Sequence, residues 1–102
     1  MLIKHEEFDD VDFQEPTYSR TLLHEAIRYR RVNVCEYLLV RKQPNLELTD
    51  FQGYSALHQA CESGTHEVIM LLLTQGADPH VLTKPIVHGT ELTPLGVAIQ
   101  KN

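Results

Sequence analysis

The chain holds 102 residues, with nine Lys or Arg against fourteen Asp or Glu, a formal charge of -5 and 42% hydrophobic residues, which suits one ordinary soluble domain. A fold of this size buries only about 60–65% of its unfolded surface, so deep catalytic clefts between domains are not expected. The longest apolar run, Val68 to Leu73, is far short of the ~18 residues that signal a membrane span, and no membrane partner is expected.

At the N-terminus, Met1-Leu2-Ile3 gives way at once to Lys4, His5, Glu6 and Glu7, so the signal-peptide pattern of a long apolar stretch is absent. Cys35 and Cys61 each lie inside apolar stretches, as structural thiols in reducing compartments do, and the cytoplasm or nucleus is the expected location. Residues 1 to 16 set Lys4 against Glu6, Glu7, Asp9, Asp10, Asp12 and Glu15, which accounts for the whole net charge and leaves the remainder neutral. Phe8, Val11 and Phe13 interrupt those carboxylates. An acidic N-terminal arm over 1–16 is expected, either solvated or docked in an apolar groove. Nucleic acid is not an expected partner, because phosphate neutralisation needs a net basic face.

Beyond residue 16 the chain repeats itself. Thr21-Leu22-Leu23-His24-Glu25-Ala26 returns 34 residues later as Ser55-Ala56-Leu57-His58-Gln59-Ala60, and Val34-Cys35-Glu36-Tyr37-Leu38-Leu39 returns as Val68-Ile69-Met70-Leu71-Leu72-Leu73. Thr93-Pro94-Leu95-Gly96-Val97-Ala98 opens a third copy. A period of this length means stacked supersecondary units. Thr21, Ser55 and Thr93 stand where a hydroxyl accepts from a first-turn amide, and Pro94 suits the first helical position. Leu23, Ala26 and Ile27, like Leu57, Ala60 and Cys61, share one face of a short helix. Gly64 and Gly76 end the first and second helices of the second copy. Tyr37 is expected on the buried face of the second helix of the first copy. The stretch after each second helix is expected to be an extended loop or hairpin. The expected fold is all-α, a stack of helix-turn-helix units near 17–50 and 51–88 with a half repeat at 89–102.

These residues resemble the ankyrin-repeat family, whose signature runs through a T-P-L-H-x-A helix start, a Gly turn, a V-x-x-L-L second helix and a G-A-D-x-N exit. The second copy matches most fully, through Ser55 to Ala60, Gly64, Val68, Leu71-Leu72, Gly76-Ala77-Asp78-Pro79-His80 and Gly53. The likeness covers residues 17 to 102. The departures are also legible. Arg30 stands at the family's Gly turn, so strain is expected there. Lys42-Gln43-Pro44-Asn45 reads as an exit one residue short, followed by a loop two residues longer, and the second-to-third connection carries an insertion over Lys84 to Glu91. The third copy has one helix, so either a longer parent chain or self-association through that uncapped end is expected. A narrower likeness, Gln14-Glu15-Pro16 through Arg20-Thr21 with Asp50-Phe51-Gln52-Gly53, is similar to the inhibitor-of-NF-κB branch and implies a regulator of a Rel-type transcription factor.

Chemistry finds little purchase in the pattern. His5, His24, His58, His66, His80 and His88 show no spacing that would obviously converge their nitrogens, Cys35 and Cys61 are 26 residues apart, and no C-x-x-C or H-E-x-x-H pattern occurs. The resemblance implies that His24 and His58 join neighbouring repeats by hydrogen bonds. Cys61 and His58 lie on a packing face with no third orienting group, and no Gly-rich phosphate loop occurs. No catalytic residue, cofactor or metal is therefore expected. Surface recognition of a protein or peptide remains. By resemblance, the hairpin residues before each helix start and the exposed end of the first helix line a concave groove. That places Tyr18, Arg20, Arg28, Tyr29, Phe51, Gln52, Tyr54, Glu62, Ser63, Leu92 and Gln100 as partner-binding candidates, and aromatics beside Arg are the composition of interface hot spots. The basic group Arg28, Arg30, Arg31, Arg41 and Lys42 is expected to attract an acidic partner or to hold the acidic arm. The rivals to a plain module are a self-contained regulator inhibited by its own arm and a recruiting domain of a larger enzyme.

Overall fold

A computed structural model of the chain describes residues 10 to 84 and 90 to 101. Five α-helices appear among the described residues: α1 (Leu22–Arg28), α2 (Val32–Tyr37), α3 (Ala56–Ser63), α4 (His66–Thr74) and α5 (Pro94–Lys101). A π-helical segment (Leu38–Lys42) prolongs α2, and no strand occurs among the described residues. The all-α repeat architecture is therefore as read from the sequence. The principal extents of 39 × 27 × 21 Å fit a short stack rather than a sphere.

The helix starts form as their residues dictate. The Thr21 hydroxyl accepts from the His24 N–H (3.2 Å) and the Ser55 hydroxyl from the His58 N–H (3.4 Å), while the Thr93 hydroxyl accepts from the Gly96 N–H (3.1 Å). Pro94 is the first residue of α5. Two histidines extend these caps into links between repeats. The Thr21 N–H donates to His24 Nδ1 (3.2 Å), so Nδ1 is unprotonated and the hydrogen sits on Nε2, which donates to the Tyr54 carbonyl (2.9 Å). His58 repeats the arrangement, accepting from Ser55 N–H (3.1 Å) and donating to the Leu92 carbonyl (2.9 Å). Burial holds the His24 imidazole below its usual pKa, against the opposing pull of the Tyr54 carbonyl and the Asp50 charge.

Helix ends are equally explicit. Gly64 closes α3 in the left-handed region at φ 72°. Arg30, at the matching place after α1, takes φ 57°. Around it the Arg31 N–H reaches the Ala26 carbonyl (2.9 Å) and the Arg30 N–H the Ile27 carbonyl (3.0 Å), the paired bonds of a Schellman termination made without glycine. The core between the helices consists of Leu23, Ala26, Ile27, Cys35, Leu38, Leu39, Ala56, Leu57, Ala60, Val68, Leu72 and Ala77. Tyr37, expected in it, is 53% exposed. Cys35 of α2 and Leu38 and Leu39 of its π-helical prolongation form the buried stripe, and a residue two after Cys35 points away from it. Burial pushes the Cys35 thiol up to about 11.

The loops carry the repeat further than the helices do. One turn recurs in all three: the Asp12 N–H donates to Asp10 Oδ1 (3.0 Å), the Glu47 N–H to Asn45 Oδ1 (3.0 Å) and the His80 N–H to Asp78 Oδ1 (2.9 Å). Each loop then closes a hairpin with the residue before the helix cap, through Glu15 N–H to the Arg20 carbonyl (3.0 Å), Asp50 N–H to the Tyr54 carbonyl (2.9 Å) and Thr83 N–H to the Leu92 carbonyl (2.8 Å). Loops are bonded to each other as well: Asn45 N–H to Asp12 Oδ1 (2.8 Å), Gln14 Nε2 to the Thr49 carbonyl (2.8 Å) and Asp78 N–H to Glu47 Oε2 (3.3 Å).

Two expectations are corrected by these bonds. Residues 10 to 16 are bonded to the stack, with Val11 packed on the core, so the expected arm loses those seven residues; residues 1 to 9, Phe8 and His5 among them, lie outside the described residues. The exit of the first copy is not short. Gln43 (φ 48°) and Asn45 fill the places of Gly76 (φ 95°) and Asp78, and the additional residue sits inside the helix as the π segment, where the Gln43 N–H bonds the Leu38 carbonyl (3.1 Å). A single-residue insertion in a helix is absorbed in this way. Most of the expected insertion after Lys84, residues 85 to 89 with His88, lies outside the described residues.

Candidate protein-interaction surface

The hairpin tips and the ends of α1 and α3 bring several of the expected residues together. The tips meet edge to edge, the Phe51 N–H donating to the Tyr18 carbonyl (2.9 Å) and the Lys84 N–H to the Gln52 carbonyl (3.0 Å). Above that ladder the rings of Tyr18 and Phe51 pack at 5.4 Å between centroids, and both remain exposed. The Arg20 guanidinium lies 4.5 Å over the Tyr18 ring. Arg20 Nη1 is 3.7 Å from Glu25 Oε1, the same oxygen that stands 3.8 Å from Arg28 Nε, and the Arg28 guanidinium lies 5.7 Å from the centre of the Tyr29 ring. A continuous chain of contacts thus runs from Phe51 through Tyr18, Arg20, Glu25 and Arg28 to Tyr29, which is 63% exposed. The scaffold's core makes no use of either exposed aromatic end.

Glu15 shapes the first tip. Desolvation alone would raise its carboxyl, but the N–H groups of Tyr18 (2.7 Å), Arg20 (3.3 Å) and Thr17 (2.8 Å) and the Arg20 charge hold it below the usual carboxylate range. This bonding fixes the backbone that carries Tyr18. Asp50 does the same in the second tip, accepting at Oδ1 from the Gln52 and Tyr54 N–H groups, each at 2.9 Å.

Tyr54 is a correction. Expected on the groove, it is 1% exposed, with its ring 5.6 Å from that of His58 and its hydroxyl donating to Glu62 Oε2 (3.0 Å). Its backbone closes the hairpin, and the ring fills the space beneath. Burial and the Glu62 carboxylate push its phenol well above the usual range. Glu62 is half-buried and also receives Gln59 Nε2 at 3.3 Å. Gln52 and Leu92 are half-buried and act through backbone carbonyls, whereas Gln100 is exposed on α5, apart from the chain of contacts.

A shallow depression of about 270 Å³ opens between the ends of α1 and α3, lined by Arg28, Arg30, Gln59, Glu62 and Ser63. Arg28, Glu62 and Ser63 were expected at the surface, while Gln59 was not. Its signal was available, since it fills the variable place between His58 and Ala60 in the helix-start motif. Arg30 stands out in the sequence only by its turn and its charge. The basic group also divides: Arg28, Arg30 and Arg31 cluster where α1 turns into α2, and Arg41 and Lys42 lie at the far end of the prolonged helix, about 15 Å away along its axis. A second open depression, about 510 Å³, lies between α2 and α4 against Val32, Glu36, His66, Glu67, Met70, Leu71 and Thr74. Among the described residues, no group of three His, Cys, Asp or Glu is placed to hold a metal ion, and no helix is long and apolar enough to cross a membrane.

Paired helices joined by stacked hairpins, with histidines donating from one unit to the next, define a helical repeat solenoid whose tips stand free of the core. The chain belongs to the ankyrin-repeat family: the family model "Ankyrin repeats (3 copies)" matches residues 1–83. Ankyrin repeats are protein-interaction modules, in general without catalysis. Over 72 residues the chain is 35% identical to the "Nuclear factor NF-kappa-B p105 subunit" of Gallus gallus, covering 71% of this chain and 7% of that protein. Over 82 residues it is 29% identical to the "B-cell lymphoma 3 protein homolog" of Mus musculus, covering 72% of this chain and 18% of that protein. A match of 36% over 58 residues joins it to "BCL-6 corepressor-like protein 1" of Homo sapiens, covering 57% of this chain and 3% of that protein. The chain therefore spans only a small part of the length of the relatives it matches, and the similarity to the p105 subunit and the B-cell lymphoma 3 homolog is consistent with the narrower likeness to the inhibitor-of-NF-κB branch.

Proposed function

We propose that this chain is a non-catalytic module that presents its hairpin tips and first-helix ends to a protein or peptide partner in the cytoplasm or nucleus. The observation that carries the reading is the exposed Tyr18–Phe51 pair, joined through Arg20, Glu25 and Arg28 to Tyr29. Rigid aromatics braced by arginine, on a scaffold that does not need them for packing, supply contact area at small entropic cost. The test is capture of partners by the intact chain beside a Tyr18→Ala/Phe51→Ala variant. Tyr54 is left untouched, because truncating a buried ring would unfold the scaffold. Partners retained equally by both forms would exclude the strip.

The similarity to the p105 subunit favours a second, narrower reading, in which the partner is a Rel-type transcription factor and the module regulates it. Co-precipitation with a purified Rel-type dimer tests that reading, and absence of binding at micromolar concentrations overturns it. Should residues 1 to 9 compete for the same strip, their deletion raises partner affinity; unchanged affinity removes self-inhibition.

A further inference from the structure

We propose that the depression between the ends of α1 and α3 seats a carboxylate side chain of an acidic partner peptide, an apolar residue of which, about three positions along the strip, rests on Tyr18 and Phe51. The proposal depends on the strip being an interaction surface and adds the chemistry of what binds it. Two arginines and one glutamate line the depression, and the glutamate is already committed. Both Glu62 oxygens are engaged within the fold, by the Tyr54 hydroxyl and by Gln59 Nε2.

Arg28 is engaged only in part, through its long pair with Glu25, and the Arg30 side chain is not engaged at all among the described residues. Arg28 Nε is closed off from water and faces Glu25 Oε1 at 3.8 Å, an oxygen shared with Arg20, so the terminal nitrogens of this partly exposed side chain are the donors left for an acceptor from outside. A guanidinium carries five N–H donors in a planar fork. Arg30 is exposed on its left-handed turn and makes no ion pair among the described residues. Two guanidinium groups with open donors, beside Ser63 and Gln59, match a carboxylate from outside. The aromatic pair at the other end of α1, about 10 Å along the same strip, points to a peptide rather than a small anion, and the separation of Arg41 and Lys42 from this corner leaves one compact positive spot, not an extended basic face. Charge-assisted contacts of this kind set orientation and on-rate as well as affinity.

The experiment selects binders to the intact chain from a displayed library of random peptides, and repeats the selection on Arg28→Gln/Arg30→Gly and on Tyr18→Ala/Phe51→Ala variants. The expected result is enrichment of Asp or Glu about three positions from an aromatic or aliphatic residue on the native chain, with the acidic preference lost on the first variant. For the best selected peptide, the arginine variant weakens binding about tenfold, and Gln in place of the peptide's acidic residue weakens it similarly on the native chain but not further on the variant. Arg30→Gly alone supplies a folding control, since it removes the guanidinium while relieving the turn, so weaker binding with a higher melting temperature is not unfolding. Acidic enrichment that survives the arginine changes, or none on the native chain, overturns the carboxylate seat. If binding in that case still fails with the Tyr18 and Phe51 changes, the interaction strip itself stands; binders indifferent to both variants overturn strip and seat together, as does a selection that yields no peptide.

Discussion

Arg30 sits where a side chain is disfavoured. A left-handed backbone costs a non-glycine residue roughly 1–2 kcal/mol, and the bonds from Arg30 and Arg31 to Ile27 and Ala26 hold the turn regardless. Replacing Arg30 by Gly is therefore expected to stabilise the fold by about 1 kcal/mol, raising the melting temperature by about 4–8 °C in a thermal melt. His24 makes a pH-dependent contribution. Folded, its Nδ1 accepts from a backbone N–H and its pKa lies below the usual value; unfolded, it takes up a proton near pH 6.5. The unfolded state then binds more protons below that pH, so the contribution is complete above about pH 7 and is lost progressively as the pH falls below 6.5 through the lowered folded value. Urea unfolding across this range is expected to show stability falling with acidification. His24→Gln is expected to lower stability at pH 7.5 by about 1–3 kcal/mol and to flatten the slope. A slope of equal steepness in the variant would remove His24 as its source. Tyr54 shows where residue-level reading stops. Its place before the helix cap matches that of Arg20 and Leu92, and only the ring's fit beneath the hairpin, with Glu62 as the hydroxyl's acceptor, decides that it is buried.

The helices were legible in the sequence because each has its start and stop written in single residues: Thr21, Ser55 and Thr93 as caps, Pro94 in the first turn, Gly64 at an end. The loops were legible only in part, because their repeat lies in hydrogen-bond roles rather than in residue identity. Asp10, Asn45 and Asp78 make the same turn, but the charges around Asp10 read as a solvated arm. Similarly, an additional residue absorbed as a π turn leaves the spacing before Asn45 looking like a shortened exit. The hairpins are nonetheless stringent elements. A Cβ on Gly53, at φ +79°, would come within 2.6 Å of the Lys84 backbone nitrogen, the atom that donates to the Gln52 carbonyl. Backbone cannot swing aside as a side-chain tip can. Gly53→Ala is expected to cost about 2 kcal/mol or more, from the left-handed conformation and the broken contact between adjacent tips. A lowered urea midpoint with an unchanged m-value is the signature, and a midpoint within error of the native chain would show that the tips are not coupled.

Stacked repeats contribute stability through each unit and through each interface with a neighbour, so position in the stack sets local stability. Leu95 and Ile99 of α5 occupy the places of Leu23 and Ile27 in α1 and of Leu57 and Cys61 in α3. Leu23, Ile27 and Leu57 are buried, each under the second helix of its own repeat; Leu95 and Ile99 are 68% and 67% exposed. Helix α5 is held by α3 on one side, by the Leu92 carbonyl's bond from His58 and by its Thr93 cap. Such an element opens at less than the free energy of global unfolding. In dilute solution, hydrogen exchange is expected to run faster at the amides of α5 than at those of α3, by at least about tenfold, which corresponds to a difference of roughly 1.4 kcal/mol in opening free energy. Equal protection of both helices would mean that the chain unfolds as one unit. Raising the protein concentration turns the same measurement on self-association through this face: burial of Leu95 and Ile99 between copies slows exchange in α5 selectively, and Leu95→Gln/Ile99→Gln abolishes the concentration dependence while leaving the dilute rates in α3 unchanged. Exchange in α5 that is independent of concentration would exclude association through that end, because a contact that covers the helix must also restrain its opening.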